Sequence, residues 1–313
     1  MKIFGPVPSR RLGNSLGINN IPYKKCSYSC VYCQVGRTRR YTTVPEECYK
    51  APSIVSDIEK KVGEVHNSGD RIDYLTFVPD GEPTLDKNLS RIIDGVGHLG
   101  IPIAVITNAT TLMHKPVFDT LLGANWVSVK VDSPIDEVWK AVNRPAETLK
   151  IEQILNNILK FKNEFQGTLV TESMLVGGIN DGEQCIAALA GYLKELAPDC
   201  SYLSAPIRPP AEEGIVPPDE AVVAAAYDTI SQYVEQVECL FGHEGNAFHS
   251  SGNPREDLLS ITAVHPMREE AVNRLLEKSG SGWPVMQELI EQGMMKEVEF
   301  NRERFYLRSF KSS

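Results

Sequence analysis

Three thiols crowd into eight residues in the run Cys26-Ser-Tyr-Ser-Cys30-Val-Tyr-Cys33. This C-x3-C-x2-C spacing is poor for a disulfide framework and usual for soft metal ligands converging from one short loop. Two inorganic centres suit it. A structural zinc site would recruit Cys48, fifteen residues on, as a fourth thiolate. A four-iron, four-sulfur (4Fe-4S) cluster would place Cys26, Cys30 and Cys33 on three irons and leave the fourth iron open to an exchangeable ligand. Cys185, Cys200 and Cys239 stand singly and read as packing residues.

Around the cysteines the charge is lopsided. Residues 1–50 hold nine Lys and Arg (among them Arg37, Arg39 and Arg40) against Glu46 and Glu47, in a chain of formal net charge −9. The segment is thus about +7 and the remainder about −16 by formal counting. Arginines could offset the negative charge of a thiolate-ligated cluster, or lie on a solvated loop. Tyr23, Tyr28, Tyr32, Tyr41 and Tyr49 interleave with them, a composition that can stack on bases or shield a cluster from water and oxygen.

The elements that must position this loop alternate between strand and helix character, predicting an α/β fold with a mostly parallel sheet. Candidate strands are Ser15–Asn19, Ile72–Val78, Ile103–Thr107, Trp126–Val131, Thr168–Val176 and Ser201–Ser204. Amphipathic windows at Pro52–Asn67, Leu85–Leu99, Thr148–Asn163, Asp181–Leu196 and Asp219–Val237 predict helices. Proline-rich Ala205–Pro218 reads as a loop at the sheet's end. After Ser251–Pro254 come helical windows at Arg268–Glu277 and Pro284–Gln292 and alternating runs at Lys296–Phe300 and Arg304–Leu307, suggesting a small C-terminal winged-helix-like domain. The expected division is 1–255 and 256–313. No uninterrupted apolar run is long enough for a bilayer span, and Met1–Arg11 carries proline and charge where a signal peptide needs an apolar core. A cytoplasmic protein without a membrane partner is expected. Leu258–Ser313 carries eight basic and eight acidic residues, which argues against DNA as a partner.

The cysteine spacing, with Tyr32 before the third cysteine, resembles the radical S-adenosylmethionine superfamily. The strand Tyr74–Val78 running into Pro79-Asp80-Gly81-Glu82-Pro83-Thr84-Leu85 resembles that superfamily's Gly-Glu turn. The opening Gly5-Pro6-Val7-Pro8-Ser9-Arg10-Arg11-Leu12-Gly13, the stretch Gln34-Val35-Gly36-Arg37 and Leu175–Asp181 are similar to a subgroup classed with wyosine-base synthases. The flavodoxin-like portion of the tRNA wyosine enzymes has no counterpart in that resemblance.

The resemblance implies a partial (β/α)6 TIM-like barrel with cluster and cofactor at the C-terminal strand ends. It implies that the cysteines hold the cluster, and that S-adenosylmethionine chelates the open iron. Gly81, Glu82 and Pro83 would receive the methionyl ammonium, and Val176-Gly177 would offer backbone to the adenine. Weaker candidates at strand ends are Thr107, Asn108, Lys130 and Asp132; alternation puts the last two on one face, either as a mutual ion pair or against the cofactor. The implied activity is reductive cleavage of S-adenosylmethionine to a 5′-deoxyadenosyl radical that takes hydrogen from an unidentified substrate, an oxidoreductase-type chemistry fed by an external donor such as flavodoxin or ferredoxin. RNA as that substrate, and a zinc-binding interaction protein, stand as alternatives. Arg208, Glu212, Glu213, His243 and Glu244 are candidate substrate contacts, with His249 a further histidine to place.

Overall fold

The computed structural model describes residues 2–240, 248, 250, 252–263 and 265–309; His243, Glu244 and His249 lie outside them. The chain starts with β1 (Ile3–Ser9), β2 (Gly13–Ile18), β3 (Lys25–Cys26) and β4 (Arg40–Tyr41). It continues through α1 (Ala51–Asn67), β5 (Tyr74–Phe77), α2 (Leu89–Val96), β6 (Ile103–Thr107), α3 (Lys115–Leu122), β7 (Trp126–Lys130), α4 (Asp136–Asn143) and α5 (Ile151–Glu164). Then follow β8 (Thr168–Met174), α6 (Glu183–Leu196), β9 (Cys200–Ser204), α7 (Glu220–Ser231) and β10 (Val237–Cys239).

The main sheet has the order β1-β2-β5-β6-β7-β8-β9-β10. Every neighbouring pair from β2 to β10 is parallel and β1 is antiparallel to β2. Successive strands pairing through intervening helices, without strand reversal, give the partial (β/α)6 barrel expected, with β1 and β10 added at its margins. All six expected strands are present. Strand periodicity divides the residues between two cores. Leu16, Ile18, Leu75, Phe77, Val105, Val127, Val129 and Leu169 face the helices, whose Ile54, Ile58, Ile92, Ile158 and Leu193 cover them. The alternate positions Ala104, Trp126, Val170, Cys200 and Tyr202 form an apolar floor on the concave side. Two residues further along the same faces come Ser128 and Lys130, Glu172 and Ser204, so the interior turns polar toward the C-terminal strand ends.

Several boundaries differ from those expected. β1, which was not among the expected strands, carries Pro6 and Pro8, and a margin strand bonded on one side tolerates missing donors. The Asp219–Val237 window divides: helix ends at Ser231, and β-branched Val237 starts β10 beside β9. The Leu85–Leu99 window begins with a 3₁₀ turn at Pro83–Leu85, delaying α2 to Leu89. α3 and α4 had no predicted window; each spans eight residues, too short for a strong periodic pattern.

Beyond the sheet, α8 (Pro254–Ile261), β11 (Met267–Arg268), α9 (Glu269–Lys278), α10 (Pro284–Glu291), β12 (Met295–Phe300) and β13 (Glu303–Arg308) form a separate three-stranded sheet of order β11-β13-β12 with its own core. Leu258, Val272, Leu275, Met286, Leu289 and Tyr306 fill that core, and Val7 of β1 packs against it. Among the described residues no helix is long and apolar enough to cross a membrane.

Candidate active site at the cysteine loop

The cysteine loop is fixed by backbone pairing on both sides. Toward the Gly-Glu turn, Lys24 N donates to Asp80 O at 3.1 Å and Glu82 N to Lys25 O at 3.1 Å. Toward the end of α4, Ser29 N donates to Asn143 O at 3.0 Å and Val31 N to Val142 O at 2.9 Å. Tyr28 is buried edge-on to Trp139, whose Nε1 donates to the Tyr28 hydroxyl at 3.0 Å. A Cβ on Gly81 would overlap the Lys25 carbonyl oxygen, so the turn and the loop meet this closely only because residue 81 has no side chain.

Each of the three sulfurs has a polar hydrogen aimed at it. Tyr28 N lies 3.5 Å and Asn108 Nδ2 3.7 Å from Cys26 Sγ, Asn143 Nδ2 3.4 Å from Cys30 Sγ, and Lys24 Nζ 3.3 Å from Cys33 Sγ. Donors of this kind suit thiolates on iron, whose charge they stabilise. Burial pushes the Cys30 thiol up to about 12, with the Asp132 carboxylate adding to it, and burial raises Cys26 as well. Iron binding would therefore displace protons from these two sulfurs. Cys48 faces elsewhere, with Lys25 Nζ at 3.2 Å and the Glu46 carbonyl at 3.6 Å from its sulfur. Among the described residues no three His, Cys, Asp or Glu groups are drawn up around a single metal position. A cubane, which takes its thiolates on separate irons, fits the donor set better than one tetrahedral zinc.

Glu82 is 2% exposed and its carboxylate is saturated. Oε1 accepts from Thr84 N at 3.1 Å, Thr84 Oγ1 at 2.5 Å and Thr107 Oγ1 at 2.6 Å, and Oε2 accepts from Asn108 N at 2.7 Å. Burial raises its pKa while these bonds lower it. The side chain thus ties the turn after β5 to the end of β6, which leaves the backbone carbonyls of the turn as the groups for an ammonium ion. Pro83 follows within the 3₁₀ turn, its carbonyl accepting from Asn20 Nδ2 at 3.0 Å. Asn108 also donates to Ser27 Oγ at 2.8 Å, so Thr107 and Asn108 link turn and cysteine loop.

Lys130 and Asp132 form the ion pair expected as one alternative, but as the longer of two that Lys130 makes. Lys130 Nζ bonds Glu172 Oε1 at 2.9 Å across β7 and β8, whereas Asp132 Oδ1 stands 3.8 Å away. Asp132 accepts hydrogen bonds from the Tyr32 hydroxyl, from Asn143 Nδ2 at 2.6 Å and from Met174 N at 2.7 Å. Lys130 lies over the Tyr32 ring, 5.0 Å from its centroid. Glu172 also accepts from Arg11, and Arg11 stacks over Trp126 and Tyr202 at 6.0 and 5.7 Å. The two cations hold the Glu172 carboxyl far below the usual carboxylate range against the upward push of burial. Reasoning from sequence missed Arg11 and Asn143, which come from distant positions; the in-strand charge of Glu172 was the one signal available.

Val176 and Gly177 pack against the proline-rich loop: Gly177 N donates to Val216 O at 2.9 Å, and a Cβ on Gly177 would stand 2.8 Å from Pro217 O. That amide is already used, so an adenine would have to meet other backbone groups here. Glu212 takes Arg37 at 2.6 Å and Arg144 at 2.8 Å, pinning the same loop over the cysteines, while Glu213 is exposed. Of the five tyrosines, Tyr28 and Tyr32 are packed into the site, Tyr23 lies under Arg39 and Tyr49 under Lys2; Tyr41 is 48% exposed. A cavity of about 250 Å³ opens between the cysteine loop and the ends of β7, β8 and β9, lined by Cys33, Lys130, Glu172, Ser204 and Arg208 among others.

Known proteins share this fold. The Radical SAM superfamily model matches residues 20–190. A UPF0026 protein of Methanocaldococcus jannaschii is 43% identical over 311 residues, which is 99% of this chain and 96% of that protein. Among solved structures, a radical SAM methyltransferase from Sphaerobacter thermophilus aligns with TM-score 0.56 at 15% identity, over 72% of this chain and 66% of that one. TYW1 with a lysine-pyruvate adduct bound aligns with TM-score 0.52 at 14% identity, over 70% and 74% of the two chains. The chain belongs to the radical S-adenosylmethionine superfamily, whose cofactors are a 4Fe-4S cluster and S-adenosylmethionine.

Proposed function

We propose that the protein is an enzyme in which Cys26, Cys30 and Cys33 hold a 4Fe-4S cluster with one open iron, and that it removes a hydrogen atom from a small substrate in the cavity beside Cys33. The observation that carries this reading is the matched set of N–H donors on the three sulfurs, set against a Gly-Glu turn that reaches the cysteine loop. The cluster and S-adenosylmethionine together supply one-electron cleavage of a carbon–sulfur bond and hydrogen abstraction. The residues of the chain supply the rest. The carbonyls of Gly81 and Glu82 offer acceptors to an ammonium, Pro83 closes the turn with its own carbonyl given to Asn20 and Asp86 N, Thr107 and Asn108 hold that turn in register, and Tyr32, Lys130 and Asp132 form the wall next to it. Burial of these groups excludes water from the reacting centre.

An external electron donor of flavodoxin or ferredoxin type is part of the proposal, with the exposed arginines of the cysteine loop as its approach. So is the division into a barrel domain over 1–255 and a winged-helix-like domain over 256–313, supported by the separate core and by the order helix, strand, two helices, hairpin. RNA as substrate is the second reading; exposed Tyr41 between Arg40 and the loop favours it, and the packing of the other tyrosines counts against it. The test is anaerobic incubation of reconstituted protein with dithionite and S-adenosylmethionine. Formation of 5′-deoxyadenosine, absent in Cys33→Ser, supports the reading; a colourless protein with about one zinc per chain that needs Cys48 overturns it.

A further inference from the structure

The strand pair β3–β4 turns one edge of the cysteine loop outward, and the surface there is apolar. Cys26 of β3 pairs with Tyr41 of β4, and Thr42 N donates to Cys26 O at 3.2 Å, so the segment after β4 lies one hydrogen bond from a cluster ligand. Tyr41 is 48% exposed, Val44 62% and Met113 47%, three of the six large apolar side chains exposed among the described residues. His114 Nε2 lies 3.1 Å from Thr43 O and holds the Met113 turn against this segment. Val44 lines two hollows of about 590 Å³ each, one continuing over Pro45, Leu89, Pro116 and Val117 and the other over Tyr41, Pro145 and Ala146. An apolar patch gathered on an open face marks an interaction surface.

The border of the patch is cationic. Residues 34–45 carry Arg37, Arg39 and Arg40 and no acid. Arg40 shares Glu46 with Lys25, and Arg37 shares Glu212 with Arg144, so each carboxylate meets two cations. Arg39 extends over the Tyr23 ring, 5.0 Å from its centroid. The acids of the first hollow are engaged, Asp86 by the amides of Cys48 and Asn88 and Asp119 by Lys115; exposed Glu147 is the one acid among the described residues lining the second. An apolar centre of small extent with a charged border is the form of a transient electron-transfer interface, in which charge complementarity sets the encounter rate. Nucleic acid would find a single exposed aromatic ring here, whereas the aliphatic and thioether contacts suit a protein.

We infer that this face, with Tyr41, Val44 and Met113 at its centre and Arg39 and Arg40 at its border, docks an acidic one-electron carrier protein. The carrier is oxidised by one electron and the cluster beside Cys26 is reduced by one. The inference rests on the radical S-adenosylmethionine reading for the cluster, and its test separates the two.

The full-length reconstituted protein is mixed anaerobically with reduced flavodoxin, in a parallel series with reduced plant-type ferredoxin, and with dithionite, a reductant too small to need a docking face; rapid freeze-quench electron paramagnetic resonance gives the rates of cluster reduction. Reduction by at least one carrier is expected, slowing about tenfold as salt is raised from low concentration to about 0.5 M. Arg39→Glu and Arg40→Glu should each slow it about tenfold at low salt, and the neutral double variant Val44→Ser with Met113→Ser about threefold or more. The dithionite rate should hold in all of them. Lys60→Gln, on the exposed side of α1, should change neither rate. Arg40→Glu also leaves Glu46 to Lys25; if it fails to fold, Arg39→Glu and the neutral double variant decide the matter. Carrier rates indifferent to these variants, equal slowing with dithionite, or reduction by neither carrier would each overturn the inference. So would binding of a single-stranded RNA twelve-mer that Arg39→Glu abolishes while the carrier rate holds. Iron content and dithionite-driven release of 5′-deoxyadenosine, measured on the same preparations, show separately whether the underlying reading stands.

Discussion

Replacing Lys130 by Met and Glu172 by Gln, singly and together, measures the charged wall as part of the fold. The side chains are 16% and 15% exposed and 2.9 Å apart, so Glu172→Gln leaves largely buried Lys130 without its closest partner and Lys130→Met leaves Glu172 with Arg11 alone. Breaking such a pair costs about 3–5 kcal/mol; the residual exposure and the nearby third charge on Asp132 place the expectation at the lower end, about 3 kcal/mol. In urea denaturation the double variant should lose about 2 kcal/mol less than the sum of the singles. The pH dependence has a defined sign. The folded carboxyl of Glu172 is lowered by Lys130 and Arg11, so its stabilisation is complete above the ordinary glutamate range and is lost as pH falls toward the folded value. The gap between wild type and Glu172→Gln should accordingly be widest near neutrality and narrow below about pH 4.3. Additive single losses, or a gap unchanged between pH 7 and pH 4, would refute the ion-pair reasoning.

Gly81→Ala places a methyl group on the Lys25 carbonyl oxygen; it should cost about 1–3 kcal/mol in urea denaturation and lower iron content on reconstitution. Cys33→Ser should lose iron and the visible absorbance of the reconstituted protein, whereas Cys48→Ser should retain both, because Cys48 faces Lys25. Asn143→Leu removes the donor to Cys30 Sγ along with one to Asp132, and protein-film voltammetry should show a lower cluster reduction potential, since N–H donors to sulfur stabilise the reduced state.

What the sequence disclosed depends on how local each determinant is. The six expected strands were legible because their Val, Ile and aromatic residues concentrate within four to seven residues. The cysteine loop and the Gly-Glu turn were legible because all their members lie within one short stretch. Partners set by tertiary register were not: the cross-strand neighbour of Lys130 is Glu172, forty-two positions on, and no periodicity announces that β7 and β8 align these two. Arg11 escaped notice for the same reason, its carboxylate lying 161 positions away. Glu82 was legible as a residue of the turn, but the use of its carboxylate was not, since Thr107 and Asn108 come from the next strand. β1 was obscured by prolines that only a margin position excuses.

The central claim is a coordination site left free by three protein thiolates. It is tested most directly by electron–nuclear double resonance on the reduced, reconstituted protein with S-adenosylmethionine isotopically labelled at its amino nitrogen and carboxylate. Hyperfine coupling of both labels to the cluster is predicted, lost in Cys33→Ser; an intact cluster with a fourth protein ligand and no coupling to either label would contradict the account.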